Sequence, residues 1–194
     1  MKTETTLTLA SSSPRRRELL QTLGIPFRVQ TSDVDETTAP GLSPHEVVEE
    51  LAVRKARAVA SLQQEGVVLG SDTIVVLDDQ ILGKPADEAE AFRMLTMLQG
   101  REHTVYSGVA LIDAASGREE VAHSHTRVRI RPLAKTEIES YIATREPMDK
   151  AGAYAIQGIG STIVEGITGD YFTVVGLPLA LTARMLSRFG ITVL

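Results

Sequence analysis

Two long β-rich stretches, near residues 103–113 and 119–131, meet at a turn around Ala115-Ser116-Gly117. On either side of them, shorter β runs alternate with capped helices. Alternating strands and helices build parallel neighbours through crossovers, whereas a tight turn between two strands forces an antiparallel pair into the sheet. The chain is therefore expected to be an α/β protein with a mixed sheet rather than a purely parallel one.

The helix signals are local. Thr5–Ala10 reads as a short strand that runs into three serines, Ser11-Ser12-Ser13. Ser13 suits an N-cap, Pro14 the first helical position and Gly24 the stop, which predicts a helix over about 14–23. Ser43-Pro44-His45-Glu46 adds a capping-box glutamate to the same pattern. From there Val47, Val48, Leu51, Val53, Ala56, Val59 and Ala60 form one apolar face that ends before Gly66. Val67–Leu69 and Thr73–Leu77 read as buried strands interrupted by Gly70-Ser71-Asp72. Asp87 and Glu90 cap a helix over about 87–99, with Ala91, Met94, Leu95 and Leu98 facing inward. Further helices are expected near 135–145 and 178–188, with short strands in 152–165 between them. No internal repeat or low-complexity linker is visible, so 194 residues make one domain, or two small lobes sharing a core.

Composition excludes several function classes. The chain has no Cys, which removes disulfides, thiolate metal sites and a cysteine nucleophile. Its formal net charge of -5 argues against coating a nucleic-acid polymer but allows a small anion held by local cations. No stretch approaches the ~20 apolar residues of a membrane span. The amino terminus lacks the apolar core of a signal peptide, so a cytoplasmic location is expected.

Several places could carry chemistry. Ser11 to Arg17 puts hydroxyls, free amides and arginines at a helix start, where the helix dipole is already positive; such a cluster costs stability unless an anion offsets it. A solvated basic face is the alternative, and Arg17 cannot share the direction of both Arg15 and Arg16. Asp72 lies between two apolar β runs, partly desolvated, as a general base or a metal ligand would be; it could equally bond its own bend. Lys84 is held extended by Pro85, and Lys55 sits on the long helix. Either could face a phosphate or only solvent. Asp33-Val34-Asp35-Glu36 offers carboxylates to a hard cation, or is a solvated loop. His123 and His125 share a strand face without an evident third zinc ligand. Gly158-Ile159-Gly160 is not a dinucleotide fingerprint, and there is no P-loop.

Taken in order, Ser11-Ser12-Ser13-Pro14-Arg15-Arg16, Val34-Asp35-Glu36, Arg54-Lys55-Ala56, Gly70-Ser71-Asp72-Thr73, Gly83-Lys84-Pro85, Asp149-Lys150-Ala151-Gly152-Ala153-Tyr154 and Gly169-Asp170-Tyr171 followed by Val175-Gly176-Leu177-Pro178-Leu179 resemble the Maf family of nucleoside triphosphate pyrophosphatases. The resemblance spans nearly the whole chain. It implies an elongated mixed sheet flanked by helices, two lobes with a central cleft, and kinship with the inosine-triphosphate pyrophosphatases. It also implies hydrolysis of a nucleotide to monophosphate and pyrophosphate with a divalent metal, Mg or Mn. By position, Asp72 is the general base and shares the metal with Glu36, and Lys84 is counted with Asp72 as catalytic. Ser11, Ser13, Arg16, Lys55 and Lys84 hold the phosphates. Arg15, Thr73 and Gln157 mark the branch acting on dTTP and UTP. In a sister branch acting on 7-methyl-GTP those positions tend to be tryptophan, glutamine and glutamate. A homodimer is a further expectation from the family. The alternatives are that sister activity and a nucleotide-binding regulator of cell division.

Overall fold

The computed structural model describes residues 6–31 and 33–194. Its sheet has seven strands: β1 (Leu7–Ala10), β2 (Phe27–Val29), β3 (Val67–Leu77), β4 (Gln80–Leu82), β5 (Glu102–Asp113), β6 (Glu119–Ile130) and β7 (Val164–Thr168). Their order is β2-β1-β3-β5-β6-β7, with β4 paired to β3 off that path. β1 runs parallel to both β2 and β3, while β4 is antiparallel to β3 and β7 to β6. The mixed, open sheet expected from the central hairpin is therefore present, flanked by helices. The hairpin turn between β5 and β6 closes through Asp113 N–H to the Arg118 carbonyl at 2.9 Å.

The helices are α1 (Pro14–Gln21), α2 (Pro44–Ala60), α3 (Glu88–Leu98), α4 (Lys135–Ala143), α5 (Tyr171–Val175) and α6 (Leu179–Arg188). Asp87 accepts from the Glu90 amide at 2.7 Å, and Glu46 accepts from the Ser43 amide at 2.8 Å, as their capping patterns predict. Ser13 does take the N-cap position of α1, but its hydroxyl makes no capping bond. Its amide instead donates to Ser11 Oγ at 3.2 Å and curls the serine loop.

Two expectations are corrected, and two short elements were not anticipated. Residues 67–77 form one continuous strand, with no break at Gly70-Ser71-Asp72. Gly70 is needed for proximity and not for a bend: a Cβ there would lie 2.2 Å from the Ala52 carbonyl and 2.9 Å from the Ala56 side chain. Residues 152–163 hold 3-10 turns rather than strands, and only Val164–Thr168 is extended. The short strand β2 and helix α5 carry too few residues for a periodic signal and were not expected. The first strand is seen from Leu7, and Thr5 lies outside the described residues.

The chain divides into two compact units, Met1–Asp72 with Ser107–Ser124 and Gly176–Leu194, and Thr73–Tyr106 with His125–Val175. In the first, small residues let α2 approach the strands. Ala52, Ala56, Val59 and Ala60 pack on Ala10, Val68, Ala110 and Ile112. Gly108 admits the Val48 carbonyl just as Gly70 admits that of Ala52. The second unit has a bulkier core, in which Leu95, Leu98 and Met94 of α3 meet Ile138, Tyr141 and Ile142 of α4 and strand residues such as Leu77, Val105 and Ile130. Truncating one of those leucines to alanine would cost about 2–5 kcal/mol.

Candidate active site

The charged site of the first unit begins with packing. Successive side chains of a strand face opposite ways, so Gly70 and Asp72 share the side of β3 that meets α2. Gly70 admits the backbone of α2, and on that helix Lys55 lies three residues beyond Ala52. The Lys55 ammonium arrives 2.5 Å from Asp72 Oδ1. It is also 2.7 Å from Glu36 Oε1. Asp72 is buried, with 8% of its surface exposed, whereas Glu36 reaches in from an exposed loop.

That loop is held by the neighbour of Lys55. Arg54 donates to the carbonyls of Asp35 and Thr37 and pairs with Glu50. The Asp35 carboxylate accepts from the Thr37 amide at 2.8 Å, and hydrogen bonds from Thr37 lower its pKa below the usual carboxylate value. Asp35 therefore shapes the turn, and of the acidic run it is Glu36 that reaches Lys55. The motif Arg54-Lys55-Ala56 gives Arg54 no role of its own, because a guanidinium gripping carbonyls leaves no side-chain pattern by which to find it.

On the other side of β3, buried Ser71 donates to the Gly176 carbonyl at 3.1 Å. The same carbonyl accepts from Arg16 Nε at 2.9 Å, and Arg16 Nη1 lies 3.5 Å from Ser11 Oγ. Burial lowers the Arg16 pKa, Asp72 and Glu36 raise it, and Arg15 lowers it further; the net direction is downward. These couplings place Arg15, Arg16, Asp72 and Glu36 in one electrostatic neighbourhood. Arg17 is exposed, as its direction on α1 requires. The first turn of α1 contains no acidic residue to offset its dipole. Gly176 and Ser71 escaped sequence reasoning as site residues because one acts through a backbone carbonyl and the other through burial.

Thr73, Lys84 and Gln157 belong to the second unit: Thr73 is half-buried in β3, Lys84 exposed after β4, and Gln157 half-buried beside the turn 158–162. Other quoted motifs resolve into structure. Asp170 caps α5 by accepting the amide and hydroxyl of Thr173, each at 2.8 Å, and Lys150 binds the Glu146 carbonyl at 2.5 Å and Asp149 at 2.6 Å. His123 sits 2.8 Å from Glu49, with its ring 5.0 Å from that of His45.

Glu36 and Asp72 can reach a single cation, since both already touch one ammonium. Among the described residues, no set of three His, Asp or Glu is arranged to hold a metal. Two hard carboxylates suit a magnesium-like ion that completes its shell with water and phosphate oxygens. Lys55 lies between these carboxylates, and Arg16, coupled to both of them and to Arg15, lies near the start of α1, so cationic and acidic groups share one neighbourhood.

Residues 6–189 match the Maf family, described as Maf-like protein. The chain belongs to that family. It is 56% identical over 188 residues to a dTTP/UTP pyrophosphatase of Pelotomaculum thermopropionicum, covering 97% of this chain and 98% of that one. A dTTP/UTP pyrophosphatase of Moorella thermoacetica is 54% identical over 187 residues, covering 96% of each. The Ham1 protein of Staphylococcus aureus superposes with a TM-score of 0.50 at 17% identity, covering 82% of this chain and 79% of that one, and shares the fold. No described helix is long and apolar enough to cross a membrane.

Proposed function

We propose that the chain hydrolyses dTTP and UTP to the monophosphate and pyrophosphate. The observation that carries this is the Lys55 ammonium bridging buried Asp72 and Glu36, in the electrostatic neighbourhood of Arg15 and Arg16. Two relatives of more than 50% identity bear that activity in their names. Asp72 accepts a proton from the attacking water as its oxygen bonds to the α-phosphorus. The bond from that phosphorus to the bridging oxygen breaks, and pyrophosphate leaves with the bonding pair. Positioning and charge neutralisation supply most of the rate in such transfers, so the absence of Cys is no handicap.

Lys55 moves between carboxylate and phosphate as charge builds on the leaving group, while Arg16, fixed by Gly176 and Ser11, holds a phosphate from the α1 side with Ser13 and Arg15. Glu36 and Asp72 would hold Mg or Mn, which supplies Lewis-acid neutralisation of the phosphates when bound. The roles assigned to Lys84 on the leaving phosphates, and to Thr73 and Gln157 on the base, rest on the sequence correspondence. Gln157 offers a donor and an acceptor to the uracil edge. The same reading takes the protein to be a cytoplasmic homodimer.

A panel of nucleoside triphosphates, including 7-methyl-GTP, assayed for pyrophosphate with Mg²⁺ or Mn²⁺ tests this. Turnover of dTTP and UTP above the purines is expected. No pyrophosphate from any of them would end the proposal.

A further inference from the structure

In the second unit, Gln157 sits in a segment tied down on both sides by one polar network. The buried hydroxyl of Tyr141, on α4, accepts the Ala155 amide at 3.1 Å and donates to Glu146 Oε1 at 2.9 Å. The same carboxylate accepts the amides of Ile159 at 2.9 Å and Gly160 at 2.8 Å. Backbone is therefore fixed two residues before Gln157 and two and three residues after it.

The glycines make this closure possible. A Cβ at Gly158, whose φ is +64°, would lie 2.4 Å from Glu146 Oε2, and one at Gly160 would lie 2.2 Å from the Ala155 carbonyl and 2.6 Å from the Tyr141 hydroxyl. Gly158-Ile159-Gly160, which has no place in a dinucleotide fingerprint, here lets the chain close on a phenol and a carboxylate. Burial by itself would raise the Glu146 pKa. Donation from Gly160, Ile159 and Tyr141, with Lys150 nearby, outweighs it and leaves the group below its ordinary value, an ionised acceptor at neutral pH. Tyr154, next in the chain to Ala155, has its hydroxyl 2.7 Å from His103 Nε2 in the core.

We propose that Tyr141 and Glu146 are positioning residues that set pyrimidine affinity by fixing the backbone on which Gln157 is carried. The proposal rests on the reading of Gln157 as a base-contacting residue. An amide that must match a base edge binds best when its backbone is ordered beforehand, because ordering then costs nothing on binding.

The test compares Tyr141→Phe, Glu146→Gln, Gln157→Ala and the double variants with Gln157→Ala, in steady-state assays on dTTP, UTP and a purine triphosphate. Amide hydrogen exchange over 155–160 and thermal unfolding are followed alongside. Each clamp variant is expected to raise KM for dTTP and UTP about tenfold with kcat within about twofold, and to speed exchange in the loop. Added to Gln157→Ala, neither should raise KM further, since both act through the same side chain. A merely structural role would lower the melting temperature and the active fraction while leaving KM and the pyrimidine preference alone. If Gln157→Ala raises KM and both clamp variants leave it unchanged, the clamp is overturned and the base-contact reading stands. If Gln157→Ala itself leaves KM unchanged, that reading falls and the proposal with it.

Discussion

The first unit builds its site with formal charges on long side chains, brought together where glycine and alanine let α2 lie against β3. The second unit holds its candidate base-contacting segment with backbone amides donated to the buried phenol of Tyr141 and the half-buried carboxylate of Glu146. Lys55 and Arg16 have several rotatable bonds and more than one partner each. Ala155, Ile159 and Gly160 have fixed amide directions and named acceptors. On the proposed reading, charge that follows the reaction is carried on side chains that can move, and the segment assigned to the base is carried on backbone that cannot. Changes in the first region should therefore appear in kcat, and changes in the second in KM or in stability.

The contrast breaks most readily at Asp72. Asp72→Asn keeps the size of the side chain and its reach to Lys55 but removes the proposed base, so pyrophosphate release from dTTP should fall by roughly 10²–10⁴-fold with little change in melting temperature. Retained turnover would remove Asp72 from its role and leave the charged site a structural ion pair.

In the second unit the corresponding probe is pH. Burial lowers the His103 pKa from 6.5 to about 4, so the folded state resists a proton that the unfolded chain accepts. Stability should therefore be full above pH 6.5 and fall as pH drops from 6.5 towards 4, by roughly 3 kcal/mol in all. His103→Gln, which can still bond the Tyr154 hydroxyl, should flatten that slope in denaturant titrations at pH 7, 5.5 and 4.5. An unchanged slope would mean that the loss lies in other groups.

Gly70→Ala asks whether proximity in the first unit is really a matter of missing side chains. Its Cβ would meet the Ala52 carbonyl at 2.2 Å. The added methyl should cost about 1–3 kcal/mol in urea unfolding and, by lifting α2 and Lys55, lower kcat as well. A stable, fully active variant would show that α2 has slack. The smallest effect belongs to Arg17→Ala. Arg17 is exposed beside two arginines of the site, and its loss should leave kcat/KM within about twofold and stability within about 0.5 kcal/mol. A large loss would extend the proposed anion site further around α1.

Much of the fold was legible in the sequence. The capping patterns at Ser43 and Asp87 and the periodic faces of α2 and α3 mark helices by local rules, and the turn at Ala115–Gly117 marks the hairpin. The segments misread were those where local signals point the wrong way. Gly70-Ser71-Asp72 resembles a turn by composition, yet it runs as continuous strand because α2 needs the space. Residues 152–163 hold apolar residues at strand-like spacing, yet they coil because their amides have acceptors at Tyr141 and Glu146 instead of a neighbouring strand. Of the site, Asp72, Glu36, Lys55, Arg15 and Arg16 were named from motif order. Ser71, Gly176, Arg54, Tyr141 and Glu146 were not, because carbonyls, buried hydroxyls and tethers carry no spacing of their own.

By itself, the sequence determined which residues are available: a cysteine-free set of carboxylates and cations in the order of the Maf family, on elements whose caps and periodicities are local. Only the tertiary structure decided that Lys55 lies between Asp72 and Glu36, that Gly176 anchors Arg16, and that Glu146 closes the Gln157 segment. Helix caps and side-chain alternation depend on neighbours a few residues apart along the chain. Lys55 and Asp72 are separated by 17 residues and Arg16 and Gly176 by 160, so their meeting is settled by how closely the packed elements can approach.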